Sequence, residues 1–555
     1  MDKNLIAVVL ISVGILVVWQ KFVAVPPPKH AVVASADGGT APDSVVLKAD
    51  GTPDTAVQAA GKTAVAGPAV ADGPATPTAA EQLVSYEMPG MYHAVLSTKG
   101  AALHDFNLLH ISHQEKRGTV NVPIDLAPSK SPPLPFSVTF PSSGFTMPDN
   151  ADFTVVKNEG NDRVFSWTDG KVTVEKHFSF VPGTYQIRLD VTVKNGSAAA
   201  VPASFELSMS GWQNPEAPAG FWIFKAQSID TEGVCSGVDV KRQRLPDLLK
   251  EPFEVKGPMR LIAIDRKWFI SAVTLAGADD ATCRMTGEVG GKVVTSLTIA
   301  PVTIAAGGEK TWSLVGFVGP KVVADLDAVR MPDGSDAHLV KQVMYDGFWG
   351  GIKEVLARPM LWVLKKIHQG IGNWGVAIIL LTALIKLLTW WPTTKSMKSA
   401  QAMARLKPEM DRLKTKYGDD KTKMNQEVME LYKKHKINPL GGCLPVLIQM
   451  PIYIALYSML GNSVELYRAN FGLWIHDLTA PDPFFVLPLL TGAGMFLQQK
   501  LSPTPPDASQ KTMMMMMPIM YTGMSIFFPA GLTLYILTNT LLSIVQQRMA
   551  TPKKV

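Results

Sequence analysis

Cysteine is scarce in this chain. Three occur in 555 residues, Cys235, Cys283 and Cys443, and their spacing excludes the thiolate clusters that hold structural zinc or iron–sulfur centres. Cys235 and Cys283 fall in one domain and make either a disulfide or two buried free thiols. The Walker A, HExxH and GxSxG patterns are missing as well. His476-Asp477 is the nearest approach to a catalytic pair, and no nucleophile lies beside it in sequence. These absences argue against an enzyme and against any cofactor or metal. Aromatic residues all but vanish from 26–80, where Ala, Pro, Gly, Thr, Val and Asp dominate. Such a segment buries too little apolar area to offset its ordering entropy, so it reads as a flexible linker. Charge is thin too, 18% against 47% hydrophobic residues, which is more apolar than an ordinary soluble domain. The net charge of +6 gathers beside the apolar runs, so it reads as membrane topology and not as a DNA-binding surface.

What the chain does contain is long apolar stretches. Residues 4–25 run apolar until Gln20 and Lys21, longer than the core of a cleaved signal peptide, and predict an uncleaved anchor over 1–25. After Pro332 the pattern is helical. Residues 336–373 include an amphipathic stretch with Trp362, Leu364 and Ile367 beside Lys353, Arg358, Lys365 and Lys366, suited to lying in the membrane interface. Spans are expected at 374–391, 440–461, 484–500, 513–528 and 530–547, five helices within a core of 374–555, and the anchor makes six. The 393–438 segment is rich in Lys and Arg, whereas 462–483 carries only Arg468. The basic segment is therefore cytoplasmic, both termini are inside, and residues 26–345 are outside.

Between 81 and 335 the period changes to two. Tyr185, Ile187, Leu189, Val191 and Val193 alternate with polar residues up to Asn195-Gly196, a favoured hairpin turn, and Phe205, Leu207 and Met209 resume the alternation. A second such case runs from Val164 through Asp169-Gly170 to Phe178. The spacing predicts an antiparallel β-sandwich. It has no clustered carboxylates or histidines, which suits a scaffold or docking domain better than a sugar site.

The basic segment has its own stripes. Met397, Met403, Met410, Leu413 and Tyr417 repeat at three to four, Gly418-Asp419-Asp420 interrupts, and Met424, Val428, Leu431 and Tyr432 follow. This predicts a helical hairpin over 393–438. Lys407, Arg412, Lys414 and Lys416 on its polar face either meet an acidic partner, such as ribosomal RNA or anionic lipid, or simply form a solvated face.

Lys386 lies inside the 374–391 span. An ammonium there costs about 2.5–3.5 kcal/mol on insertion scales, so something must solvate it. Either it snorkels to the headgroups, about 9 Å of helix rise away at Pro392, or it faces a wet cavity. Helical side chains lean toward their own N-terminus, which points it at the midplane and favours the cavity. Thr382 and Thr389 extend the same face. Gln449 with Tyr453, and Tyr535 with Asn539 and Thr538, add polar stripes on two other spans. In hydrocarbon each needs a partner, so three helices are expected to satisfy one another around shared water, or by ordinary interhelical hydrogen bonds. The 513–517 methionine run is either a lipid-facing tract or a soft surface that accepts varied apolar segments.

Several motifs resemble the YidC/Oxa family of membrane protein insertases, in its Gram-negative form with a large periplasmic domain. They are Asn373-Trp374-Gly375, Asn438-Pro439-Leu440-Gly441-Gly442-Cys443-Leu444-Pro445, Gln449-Met450-Pro451, Leu473-Trp474-Ile475-His476-Asp477-Leu478 and Pro529-Ala530-Gly531-Leu532-Thr533-Leu534-Tyr535. Ser97-Thr98-Lys99-Gly100 and Gly319-Pro320 carry a weaker match outside. The resemblance implies six transmembrane α-helices, a periplasmic antiparallel β-supersandwich and a cytoplasmic helical hairpin in the bacterial inner membrane. It implies a hydrophilic groove closed toward the periplasm and holding one cation, usually Arg and here Lys386. Polar residues Thr382, Gln449, Tyr453, Tyr535, Thr538 and Asn539 would line it, and Met450, Met515 and Met517 would form a slide for apolar segments. Implied partners are nascent membrane proteins, the Sec translocon and its accessory subunits, the ribosome and signal-recognition-particle pathway, and anionic lipids. The alternatives are a solute transporter or channel with Lys386 as an anion site, and a membrane-anchored periplasmic binding protein.

Overall fold

The computed structural model describes residues 80–110, 114–117, 120–128, 131–214, 231–344, 350–418, 420–435, 444–502 and 508–550. The expected anchor over 1–25, nearly all of the linker and Cys443 lie outside that set.

The N-terminal part is a β domain. Among the described residues its strands form sheets of five, twelve and two strands. The strand Gln186–Asn195 lies between Val172–Phe180 and Glu309–Pro320, antiparallel to both, with Leu189 opposite Phe178 and Leu314. Its alternation puts Ile187, Leu189, Val191 and Val193 into the core, each at most 1% exposed, because successive side chains of a strand take opposite faces. Asp169-Gly170 turns between Asp162–Thr168 and Val172–Phe180 as expected, with Gly170 at φ +89°. Asn195-Gly196 does not make the expected hairpin. Glu206–Trp212 pairs instead with Lys292–Ile299 and Ser137–Thr139, while the Asn195 amide donates to the Ala199, Ile304 and Ala305 carbonyls. The turn signal was local, and the pairing that decided the topology was not.

Cys235 and Cys283 form a disulfide between strands Glu232–Ser236 and Phe269–Gly287, which settles the two alternatives left open by spacing. Near the same edge Asp265 is almost fully buried between Lys321 and Arg242, and Arg242 also donates to the Val343 carbonyl at 3.1 Å.

The helical part comprises α1 (Gly350–Ile371), α2 (Trp374–Arg405), α3 (Lys407–Tyr417), α4 (Lys421–Lys434), α5 (Leu444–Asn462), α6 (Val486–Leu501), α7 (Ala508–Ser525) and α8 (Ala530–Ala550). The side chain of Asn373 caps α2 by accepting from Val376 N at 3.0 Å. Its 32 residues rise about 48 Å, more than the roughly 30 Å of bilayer hydrocarbon. Among the described residues α2 is the one helix that is both long and apolar enough to span by those criteria alone. The expected span ends near 391 and the expected hairpin starts at 393, yet one helix continues through Pro392 to Arg405. Just past the proline the Thr393 and Thr394 hydroxyls donate to the Thr389 and Trp390 carbonyls, and Gln546 of α8 donates to the Trp390 carbonyl at 2.9 Å, which ties this part of α2 to α8. The hairpin proper is α3 and α4, joined by Tyr432 Oη donating to Met410 Sδ at 3.4 Å.

α2 packs along α8, α6 packs on α7 and α8, and α1 lies against α2 and α5. Ala377, Ile378 and Leu381 meet a core that includes Leu532, Leu534, Tyr535 and Ile536, all buried. The β domain reaches this bundle through Trp268, whose ring lies 4.7 Å from Tyr467 in the loop after α5, and through the ion pair Arg358–Asp327, while Lys365 of α1 pairs with Glu465 of that loop inside the helical part.

Candidate functional site

Lys386 is only 7% exposed, at the interface of α2 and α8. Its ammonium donates to Ser543 Oγ at 2.7 Å, and that hydroxyl donates to the Asn539 carbonyl at 2.7 Å. By helix rise both residues lie about 18–20 Å from the N-terminal ends of their helices. The side chain reaches across to its neighbour helix. Among the described residues no carboxylate pairs with it. A hydroxyl takes one of three ammonium donors, and an intramembrane cation of this kind marks a functional position by default.

The polar stripes on α5 and α8 meet. Gln449 Nε2 donates to Tyr535 Oη at 2.7 Å, Asn539 Nδ2 lies 3.4 Å from Tyr453 Oη, and the two tyrosine rings stand edge-to-face at 5.7 Å. Thr382 and Thr538 are placed differently. Their hydroxyls turn back onto the Ile378 and Leu534 carbonyls of their own helices at 2.6 and 2.8 Å, as a threonine in a helix can do without any ligand.

Three further polar residues of α8 reach its neighbours, two of them toward α2 and one toward the end of α6. Ser543 holds the lysine, and Gln546 donates to Thr393 and Thr394 hydroxyls at 2.8 Å while its own Oε1 accepts nothing among the described residues. Gln547 donates to Ser502 Oγ at 3.0 Å. Asn539, Ser543 and Gln546 follow one another at four and three residues, so helical spacing contained the signal one turn beyond where it was followed.

Met450, Met515 and Met517 are 37%, 56% and 54% exposed, on the outer faces of α5 and α7. On the hairpin, Arg412 and Lys416 are exposed and Lys407 is partly so, with Lys416 Nζ 5.1 Å from the Tyr417 ring centre. The side chain of Lys414 lies outside the described set. Asp477, half of the nearest catalytic-looking pair, accepts from Thr479 N and Oγ1 at 2.8 and 2.6 Å, a turn-building role.

A protein from Syntrophus aciditrophicus named membrane protein insertase YidC is 33% identical over 99% of this chain and 99% of its own length. The chain belongs to the YidC family of membrane protein insertases. The YidC relative from Anaeromyxobacter dehalogenans is 35% identical over 82% of this chain and 83% of its own. One from Alkalilimnicola ehrlichii is 56% identical, over 36% of this chain and 35% of its own. The family model described as YidC periplasmic domain matches residues 90–363, and that described as 60Kd inner membrane protein matches 366–554. The β domain is accordingly periplasmic and the helical part is the inner-membrane core. YidC insertases are not enzymes, and a solute transporter is not favoured.

Proposed function

We propose that the Lys386 seam is the hydrophilic intramembrane groove through which this insertase moves nascent membrane proteins from the cytoplasm into lipid, alone or with the Sec translocon. One observation carries this reading: a cation buried between two membrane helices has a single hydroxyl and no carboxylate among the described residues. Protein groups alone under-satisfy it, so water or the polar flank of a substrate completes its shell. Gln449, Tyr453, Tyr535 and Asn539 extend the polar wall. An acidic flank is drawn to the ammonium and has less hydrocarbon to cross. Its apolar segment meanwhile passes over Met450, Met515 and Met517 into lipid, driven by burial of about 25 cal/mol per Å² of apolar surface. Methionine suits that surface because it is flexible and polarizable.

In this reading the chain crosses the membrane six times with both termini cytoplasmic, counting the anchor and α2, α5, α6, α7 and α8. The α3–α4 hairpin then faces the cytoplasm, where Lys407, Arg412, Lys414 and Lys416 contact the ribosome, the signal-recognition-particle pathway or anionic lipid. Photocrosslinkers placed at Gln449, Met517 and Tyr535 test the groove. A ribosome-stalled single-span chain is expected to crosslink at all three positions and not at Val238, which is 87% exposed on the β domain. Crosslinks confined to the β domain would refute the reading.

A further inference from the structure

The loop after α5 carries the Leu473-Trp474-Ile475-His476-Asp477-Leu478 motif, and chain transfer along the groove makes no use of it. One half of the loop is seated on helix ends. Asn373 Nδ2 donates to the Phe471 carbonyl at 2.9 Å, Gly531 N to the Leu478 carbonyl at 2.8 Å, and Ala530 N to the Ala480 carbonyl at 2.7 Å. The other half is fastened by Asp482, which is 2% exposed. Its carboxylate accepts from the Trp474 indole N–H at 2.9 Å, Phe484 N at 3.1 Å and Leu487 N at 2.6 Å.

This scaffold turns apolar side chains outward. Leu473, Phe484 and Phe485 are 81%, 67% and 46% exposed. Leu473 and Phe485 also sit at φ +55° and +57°, a region that bulky residues rarely enter. Such backbone persists where surrounding bonds over-determine it. Water would leave both the strain and the apolar area uncompensated, whereas hydrocarbon removes the second cost. The surface is also continuous with a helix face. Phe485, Leu489 and Phe496 follow at four and seven residues, and Leu490 and Leu497 run beside them, all exposed.

We propose that Leu473, Phe484 and Phe485 are a lipid-contact surface that seats this loop in the periplasmic leaflet of the inner membrane. The side is fixed by Tyr467 of the same loop, which packs on Trp268 of the periplasmic domain. The loop is then an interfacial anchor that holds the outer ends of α2 and α8, not a water-borne connection. The inference rests on α6 crossing the bilayer, so the experiment reads that separately.

The full-length chain, with Cys443→Ser, is reconstituted in phosphatidylethanolamine–phosphatidylglycerol vesicles. A nitroxide is attached through Leu473→Cys, Phe484→Cys, Leu489→Cys or Val238→Cys, and its collisions with oxygen and with a water-soluble nickel chelate are compared. Labels at 473 and 484 are expected to give an oxygen-to-nickel ratio several-fold above that at 238 and close to that at 489. A ratio matching 238 overturns the proposal. So does protection from both agents, which would mean that protein covers the patch. A water-like ratio at 489 would instead remove the membrane placement of α6. If Leu473→Cys does not accumulate, Phe484→Cys reads the same surface from the adjoining turn.

Discussion

Lys386 and Ser543 share a 2.7 Å hydrogen bond between helices that are 157 residues apart in sequence. Ser543 is itself held, donating to the Asn539 carbonyl one turn back, so its oxygen has a fixed lone pair to offer the ammonium. Ser543→Ala removes that orientation without removing the charge. A hydrogen bond to a charged group is worth about 1.5–3 kcal/mol, and insertion of a single-span protein with an acidic flank should fall correspondingly, by roughly tenfold or more. Ser543→Thr should restore it. Insertion by the Ala variant at the wild-type rate, in cells depleted of the native protein, would show that Ser543 is packing alone.

The charge itself is tested by inversion. If Lys386 lines the proposed groove, Lys386→Glu sets an acid in the path of an acidic flank, and insertion of such substrates should stop. Lys386→Arg should be tolerated, because it keeps the charge, although the planar guanidinium brings a different donor geometry to Ser543. A Glu variant that inserts acidic substrates normally would falsify the electrostatic role.

Much of this architecture was legible in the residues, and the misses have physical causes. The alternation from Ile187 to Val193 reports burial directly, because it depends on local period, and the apolar run of α2 reports a helix apolar enough to span a membrane. The partner of Gln186–Asn195 did not follow from Asn195-Gly196, because Glu309–Pro320 lies more than a hundred residues away and no local rule selects it. Thr382 and Gln449 looked alike as polar residues in apolar helices. Only coordinates separate a hydroxyl bonded to its own turn from an amide that reaches another helix. The boundary expected near Pro392 is one of hydropathy, and it says nothing of the helix itself, which runs on to Arg405 with Gln546 of α8 bonded to the Trp390 carbonyl.

Asp265 should make the β domain acid-sensitive. Burial pushes its carboxyl up, but the Lys321 and Arg242 charges outweigh that effect and hold it below the ordinary value of 3.8. A depressed folded-state value contributes stability that is present above the unfolded value and is lost as pH falls through the folded one. Asp265→Asn strands a buried lysine and should cost about 3–5 kcal/mol at neutral pH. Denaturant unfolding followed by tryptophan fluorescence should show the gap from wild type narrowing below pH of about 4. A gap that stays constant through that range would mean that the carboxylate is not what the two cations depend on.

The Cys235–Cys283 bond closes a loop with a sequence separation of 48. In the chain-entropy model that is worth about 4 kcal/mol, because the cross-link removes conformations from the unfolded chain and not from the folded one. Both cysteines are at most 1% exposed, so their replacement by alanine opens only small voids, and the lost cross-link should dominate. The double variant Cys235→Ala, Cys283→Ala should therefore unfold at lower denaturant while inserting substrates at the wild-type rate per folded molecule. Lys386, Gln449 and Tyr535 of the proposed groove belong to another part of the chain and keep their partners. An unchanged unfolding midpoint would show that the strand ladders alone fix this edge. A loss of insertion by the folded variant would instead make the β domain more than a support for the membrane core.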